Sequence, residues 1–218
     1  MDRQRSRTHI VVRFLSWAGG KRWFVCNHAD SLPRKYNRYV APFLGGASVF
    51  FHLQPERSLL GDINAALVAT YTGTQEDWRK LERSLRYRQR VHWDDEDHYY
   101  RLRARSPSDP IQRVSRVIYL NRTCCNGIYR VNRQAEFNVP RDSKNGVVLG
   151  SDDFESVARL LKGADIRVSD FEALVDQAQE GDFRFADPPY TVLHNYNGFE
   201  RSVRALRFPT FASSRPKK

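Results

Sequence analysis

Asp187-Pro188-Pro189-Tyr190 is the part of this sequence best equipped for chemistry. It follows the apolar run 183–186, which reads as a strand. In open α/β sheets, ligands sit beyond the carboxyl ends of such strands. A carboxylate accepts hydrogen bonds and donates none, so Asp187 can take one hydrogen of an amine. The backbone carbonyl of Pro188 can take the other. An amine conjugated to a heteroaromatic ring, such as that of adenine, is a poor nucleophile because its lone pair is delocalised. Holding both hydrogens lets the nitrogen pyramidalise and frees that pair. The prolines stiffen the loop, and Tyr190 offers a face on which an extruded base can stack. The plainer reading is a Pro-Pro turn carrying an ordinary aspartate.

A nitrogen activated in this way can attack a sulfonium methyl. Such a transfer needs positioning and charge complementarity rather than a covalent nucleophile. It needs no metal, and the sequence shows no metal-ligand spacing: Cys124 and Cys125 are adjacent and lack a second cysteine pair. A donor site is suggested by Gly45 and Gly46, which follow a candidate strand at 39–42. Missing side chains let backbone approach a ligand closely there, although a tight turn would use the same residues. Asp62 lies 17 residues beyond Gly45, at the end of a second strand starting at Ser58. An acid at that place can accept from ribose hydroxyls, or it can cap the helix that begins near Ala65.

The elements that must position these residues follow an α/β pattern. Strand 39–42, a Gly-rich turn, a helix through Val49, Phe50, Phe51 and Leu53, and strand 58–60 form one unit. Thr74 and Asp77 resemble a capping box ahead of Trp78, Leu81 and Leu85, which recur at helical spacing. Asp109-Pro110 is a helix start, and Ile111, Val114 and Ile118 form its apolar face. Basic residues crowd this middle segment: Arg83, Arg86, Arg88, Arg90, Arg101, Arg103, Arg105, Arg113 and Arg116. Solvated helix faces account for most of them, with some at phosphate. A helix at 152–161 closed by Gly163, a strand at 164–168 and a helix at 171–179 lead to strand 183–186. Residues 1–8 read as a basic arm and 213–218 as a basic tail.

The chain has 218 residues, 40% hydrophobic, with 36 Lys and Arg against 25 Asp and Glu, a net charge of +11. That content allows a packed core, and the charge favours a polyanionic partner. Charge alone fits a soluble basic protein or an RNA-binding one equally well. Three cysteines build no disulfide framework, no apolar run spans a bilayer, and no secretory signal opens the chain. A cytoplasmic protein with no membrane attachment is expected.

Several stretches, in order, resemble the Dam-type (D12 class) S-adenosylmethionine-dependent DNA adenine N6-methyltransferases. Trp17-Ala18-Gly19-Gly20-Lys21 is similar to their opening motif. Pro42-Phe43-Leu44-Gly45-Gly46-Ala47-Ser48-Val49-Phe50 resembles their donor loop, and Gly61-Asp62-Ile63-Asn64 their acidic loop. The run from Leu120 through Asn126 to Asn132, followed by Phe137-Asn138-Val139-Pro140, resembles their DNA-contacting segment. Ser169-Asp170-Phe171 resembles the loop that holds the donor's adenine, and Asp187-Pro188-Pro189-Tyr190 closes the set.

The resemblance implies a Rossmann-like methyltransferase sheet with an inserted, mostly helical DNA-recognition domain. The catalytic domain would take 1–70 and 151–200, the insert 71–150, and a basic tail 201–218. It implies a methyl-donor site of Trp17, Gly20, Lys21, Phe43, Gly45, Asp62, Asp170 and Phe171. Asp187, Pro188 and Tyr190 would hold the flipped adenine, and Arg122, Asn126 and Arg130 would lie at double-stranded DNA. The donor would be S-adenosylmethionine, with no metal. Three departures stand out. Ala41 replaces an acid usual before the donor loop, and Cys125 replaces an aromatic that wedges into the duplex. The chain also ends soon after Asn195-Tyr196-Asn197-Gly198-Phe199, which implies an incomplete sheet with an open edge that a dimer could cover. These departures support a second reading: a shortened or degenerate member that binds DNA without efficient turnover.

Overall fold

The computed structural model describes residues 15–188, apart from 135 and 145. In chain order it contains α1 (Arg22–His28), β1 (Tyr39–Ala41), α2 (Ser48–Leu53), β2 (Ser58–Asp62) and α3 (Ala65–Asp94). Then come α4 (His98–Ala104), α5 (Pro110–Thr123), α6 (Phe154–Leu161), β3 (Ala164–Val168), α7 (Phe171–Val175) and β4 (Phe183–Arg184). The strands form one sheet in the order β3-β2-β1-β4, every neighbouring pair parallel. Strands β1 and β2 are short and apolar because they lie in its middle, buried on both faces. Successive side chains point to opposite faces. Tyr39, Ala41 and Leu60 therefore join the main core with Phe50, Phe51, Leu67 and Tyr71. Val40 and Leu59 pack with Leu174 of α7 on the other face.

From β1 the chain steps outward through β2 to β3, then returns to place β4 on the other flank of β1. The reversal point lies between β1 and β4, the place at the carboxyl ends where open α/β sheets take their ligands. Two glycines allow close packing around this sheet. A Cβ on Gly61 would stand 2.9 Å from the Leu174 side chain, and one on Gly163 would stand 2.3 Å from the Glu56 carbonyl oxygen. Gly163 thus serves backbone proximity to the start of β2, rather than the helix closure expected from its position after α6.

The predicted helix start at Thr74 is replaced by one long helix, α3, which is broken only at Asp77 (φ −146°, ψ 68°). Thr74 Oγ1 donates back to the Thr70 carbonyl, while Asp77 Oδ1 accepts from Lys80 N at 2.9 Å and caps the second half. Residue 70, where the boundary was expected, lies in the first half of α3, ahead of the break at Asp77. Its second half packs on α5, whose start is the expected one: Asp109 accepts from Gln112 N at 2.8 Å, with Pro110 in the first turn. Not all the arginines of this segment are solvated. Arg88 is buried and donates to Ser115 and Gln112. Arg116 of α5 donates to the Leu102 and Arg103 carbonyls at the end of α4.

The described residues belong to one compact unit. No helix among them is long and apolar enough to cross a membrane. The basic arm at 1–8, the strands expected to be missing, the tail 201–218 and Tyr190 all lie outside the described residues.

Candidate active site

The donor loop is built by the sheet beneath it. After β1, the Leu44 N–H reaches the Gly61 carbonyl at 2.9 Å, tying the loop to β2. Gly45 turns at φ +49° and Ala47 at φ +51° before α2 begins. The Gly45 carbonyl accepts from the Tyr71 hydroxyl at 2.9 Å, so α3 also holds this loop. Trp17 lies over it: a Cβ on Gly45 would meet Trp17 Cδ1 at 3.5 Å. Trp17 in turn stacks on Tyr129, with ring centroids 5.3 Å apart.

Asp62 ends β2 with both carboxylate oxygens engaged. Oδ2 accepts from Gly45 N at 3.3 Å and Oδ1 from Asn64 N at 2.9 Å. It is not the cap of α3. Asn64 fills that place, accepting from Ala66 N and Leu67 N. Each Asp62 oxygen keeps a lone pair, so a hydroxyl can still donate to it. Next along the edge, Asp170 accepts from Glu172 N at 2.9 Å and starts α7. Phe171 stacks on Phe43 of the donor loop, centroids 5.6 Å apart and planes 19° apart. Phe43, Gly45, Asp62, Asp170 and Phe171 thus line the carboxyl edge of β1, β2 and β3.

Asp187 follows β4 on the far side of the reversal point, and Pro188 comes next. Asp187 Oδ1 is 2.6 Å from Lys21 Nζ, which also donates to the Gly19 carbonyl at 2.9 Å. Lys21 was expected at the donor, and its ammonium meets the target-loop carboxylate. Gly20 shapes the turn that delivers it, its N–H bonded to the Trp17 carbonyl at 3.1 Å. Burial, with Tyr36 and Asp187 nearby, pushes the Tyr39 hydroxyl well above the usual phenol range, so it stays a neutral phenol beneath the loop.

The three residues expected at DNA separate. Asn126 is exposed in a left-handed turn, φ +58°. Arg130 is exposed, its Nε donating to Asn138 Oδ1 at 2.9 Å across a short hairpin. Arg122 is buried instead. It grips Asp152 through two hydrogen bonds of 2.6 and 2.8 Å and also donates to the Val147 carbonyl. Cys125 is half-buried, with Sγ 3.4 Å from the Arg141 carbonyl oxygen. Ala41 is buried in β1.

Sequence reasoning missed Asn121. It is buried; its Oδ1 accepts from Ser16 N and its Nδ2 donates to the Ser16 and Gly127 carbonyls. It thereby ties the opening motif to the DNA-contacting segment. Tyr71 and Tyr129 were also missed. Nothing in their spacing marks any of the three, because their partners are distant in sequence.

A family model of the D12 class N6 adenine-specific DNA methyltransferases matches residues 17–208. The chain belongs to that family. Among curated relatives, a type II methyltransferase of Lactococcus lactis subsp. cremoris, M1.LlaDCHI, is 33% identical over 195 residues. That match covers 85% of this chain and 68% of the relative. M.MjaIII of Methanocaldococcus jannaschii is 32% identical, with coverage of 87% and 72%. A DNA adenine methylase of Haemophilus influenzae is 29% identical, with coverage of 85% and 66%. The match runs through every motif described above, so a DNA adenine methyltransferase is favoured over a DNA-binding remnant.

Asp62→Ala is expected to weaken methyl-donor binding by about 1.5–3 kcal/mol, the usual worth of hydrogen bonds to a charged group. Calorimetry on the folded variant checks it. Unchanged affinity would leave Asp62 with the sole task of bracing Gly45 and Asn64.

Proposed function

We propose that this chain transfers the methyl group of S-adenosylmethionine to N6 of a specific adenine in duplex DNA. The observation that carries the proposal is the placing of Asp187 and the Phe43–Gly45 loop on the two sides of the β1/β4 reversal point. When bound, the donor supplies an electrophilic methyl on a sulfonium, displaced with the C–S pair returning to sulfur. The residues fit it: Phe43 and Phe171 provide an aromatic wall, and Asp62 and Asp170 provide carboxylates for hydroxyl and amino groups. Gly45 leaves the loop free of a side chain beneath Trp17.

Asp187 and the Pro188 carbonyl take the two hydrogens of the extruded amine, and Tyr190 stacks on the base. The nitrogen lone pair forms the new N–C bond, and one amine proton is then lost through Asp187 to solvent. Asn126 and Arg130 are assigned to DNA on the exposed hairpin side of the 71–150 segment; an arginine suits guanine O6 and N7. Arg122 braces this region from inside. Segments 1–70 and 151–200 hold donor and target base. A reducing cytosol suits the free thiols Cys26, Cys124 and Cys125.

The test is incorporation of labelled methyl into duplex DNA, followed by nucleoside analysis. N6-methyladenine is the expected product, restricted to one short sequence. No incorporation, or label on cytosine, would overturn the assignment.

A further inference from the structure

The second half of α3 carries a surface that the catalytic site does not use. Arg79, Arg83, Arg86 and Arg90 recur at spacings of four, three and four residues, and all are exposed. At about 100° per residue they share one face with Tyr87 and Trp93, within roughly 120° of arc. Tyr87 is 57% exposed and Trp93 66%. The opposite face is spent on packing: Leu81, Leu85, Arg88 and His92 are buried there. Arg86 is held by Glu82, and Arg79 stands 4.0 Å from Glu155. Arg83 and Arg90 make no ion pair among the described residues.

We propose that this face of α3 docks the sugar–phosphate backbone of duplex DNA outside the target site. The proposal rests on the chain being a DNA enzyme, and it adds a second, sequence-independent contact. Charge complementarity selects the partner: arginines about 4.5–6 Å apart along the axis form a row of cations, on a chain of net charge +11. Tyr87 O–H and Trp93 N–H add neutral donors suited to phosphate oxygens. A row of arginines on phosphate oxygens reads no base edges, so the contact holds the enzyme on DNA between targets.

The experiment compares the full chain with Arg83→Gln/Arg90→Gln on a random duplex of about 30 base pairs, across a salt series. Each lost phosphate contact lowers the slope of log K against log salt by about 0.9. The expected loss is therefore about 2 in slope, with roughly ten- to a hundredfold weaker binding at 0.1 M salt. Single-turnover methylation of a saturating short target duplex should be unchanged, which also shows that the variant is folded. An unchanged slope and affinity would overturn the proposal. So would an unchanged slope with an altered monomer–dimer equilibrium, which would make the face a contact between copies. Failure of the parent protein to bind any duplex would instead overturn the functional reading on which this rests.

Discussion

Asp187→Ala is expected to lower the rate of methyl transfer by roughly 10²–10⁴-fold, the range for removing a positioned proton acceptor at a reacting centre. Duplex affinity should change little, because the proposed role of the carboxylate is at the amine and not at phosphate. Asp187 is the motif's only carboxylate. In the alanine variant Lys21 keeps its bond to the Gly19 carbonyl and loses its contact with Asp187. Asp187→Asn should fall between parent and alanine: it keeps one acceptor oxygen but turns donor hydrogens toward those of the amine. Single-turnover rates at saturating donor measure this directly. A rate for Asp187→Ala within a fewfold of the parent would remove Asp187 from the chemistry.

The second large effect concerns stability. Arg122 and Asp152 are almost fully buried, with side chains 5% and 8% exposed, and they meet in a forked pair. Asp152→Ala leaves the guanidinium in place without its carboxylate, which typically costs about 3–5 kcal/mol. Replacing both partners, as Arg122→Met with Asp152→Leu, should recover much of that loss, because no charge is then stranded. Urea unfolding of the two variants beside the parent provides the comparison. If Asp152→Ala unfolded like the parent and only sequence discrimination suffered, Arg122 would be reading DNA after all.

That pair marks a boundary of what the sequence could tell. The strands at Tyr39 and Ser58 were legible because the middle of a parallel sheet needs short apolar runs, and those at Ala164 and Phe183, which carry charged residues, because glycine or acidic turns punctuate them. Asp109-Pro110 was legible because a cap acts within three residues. Arg122 was not: its partner lies 30 residues away, and a basic residue in a DNA-contacting segment looks the same whether it faces DNA or Asp152. The false start at Thr74 has a similar origin. Gly73 precedes it and suggests a break, yet a Cβ there would stand 2.7 Å from Val114 Cγ2. Glycine is used for close approach of α3 and α5, and their packing carries the helix through a position that local propensity disfavours.

In the site, motif order brought Phe43, Gly45, Asp62, Asp170 and Phe171 into one reading, and all five line one edge of the sheet. Lys21 was read as a donor residue through the resemblance of its motif, and its contact with Asp187 has no signal in the sequence, because the two lie far apart in the chain. Asn121 carries no signal of its own, since its partners at Ser16 and Gly127 become neighbours only when the chain has folded.

On the proposed mechanism, an arriving base must displace the Lys21–Asp187 contact. The two side chains are 24% and 19% exposed, so water screens them in part, and such a pair is worth about 1 kcal/mol. Drawing a base out of its stack costs a few kcal/mol. The larger share of the barrier to occupancy therefore lies in the DNA, and the ease of opening a given base step weighs more than the latch inside the protein. The exchange is also conservative. In the proposed reaction an amine N–H takes the place of an ammonium N–H on the carboxylate, so Asp187 exchanges one donor for another.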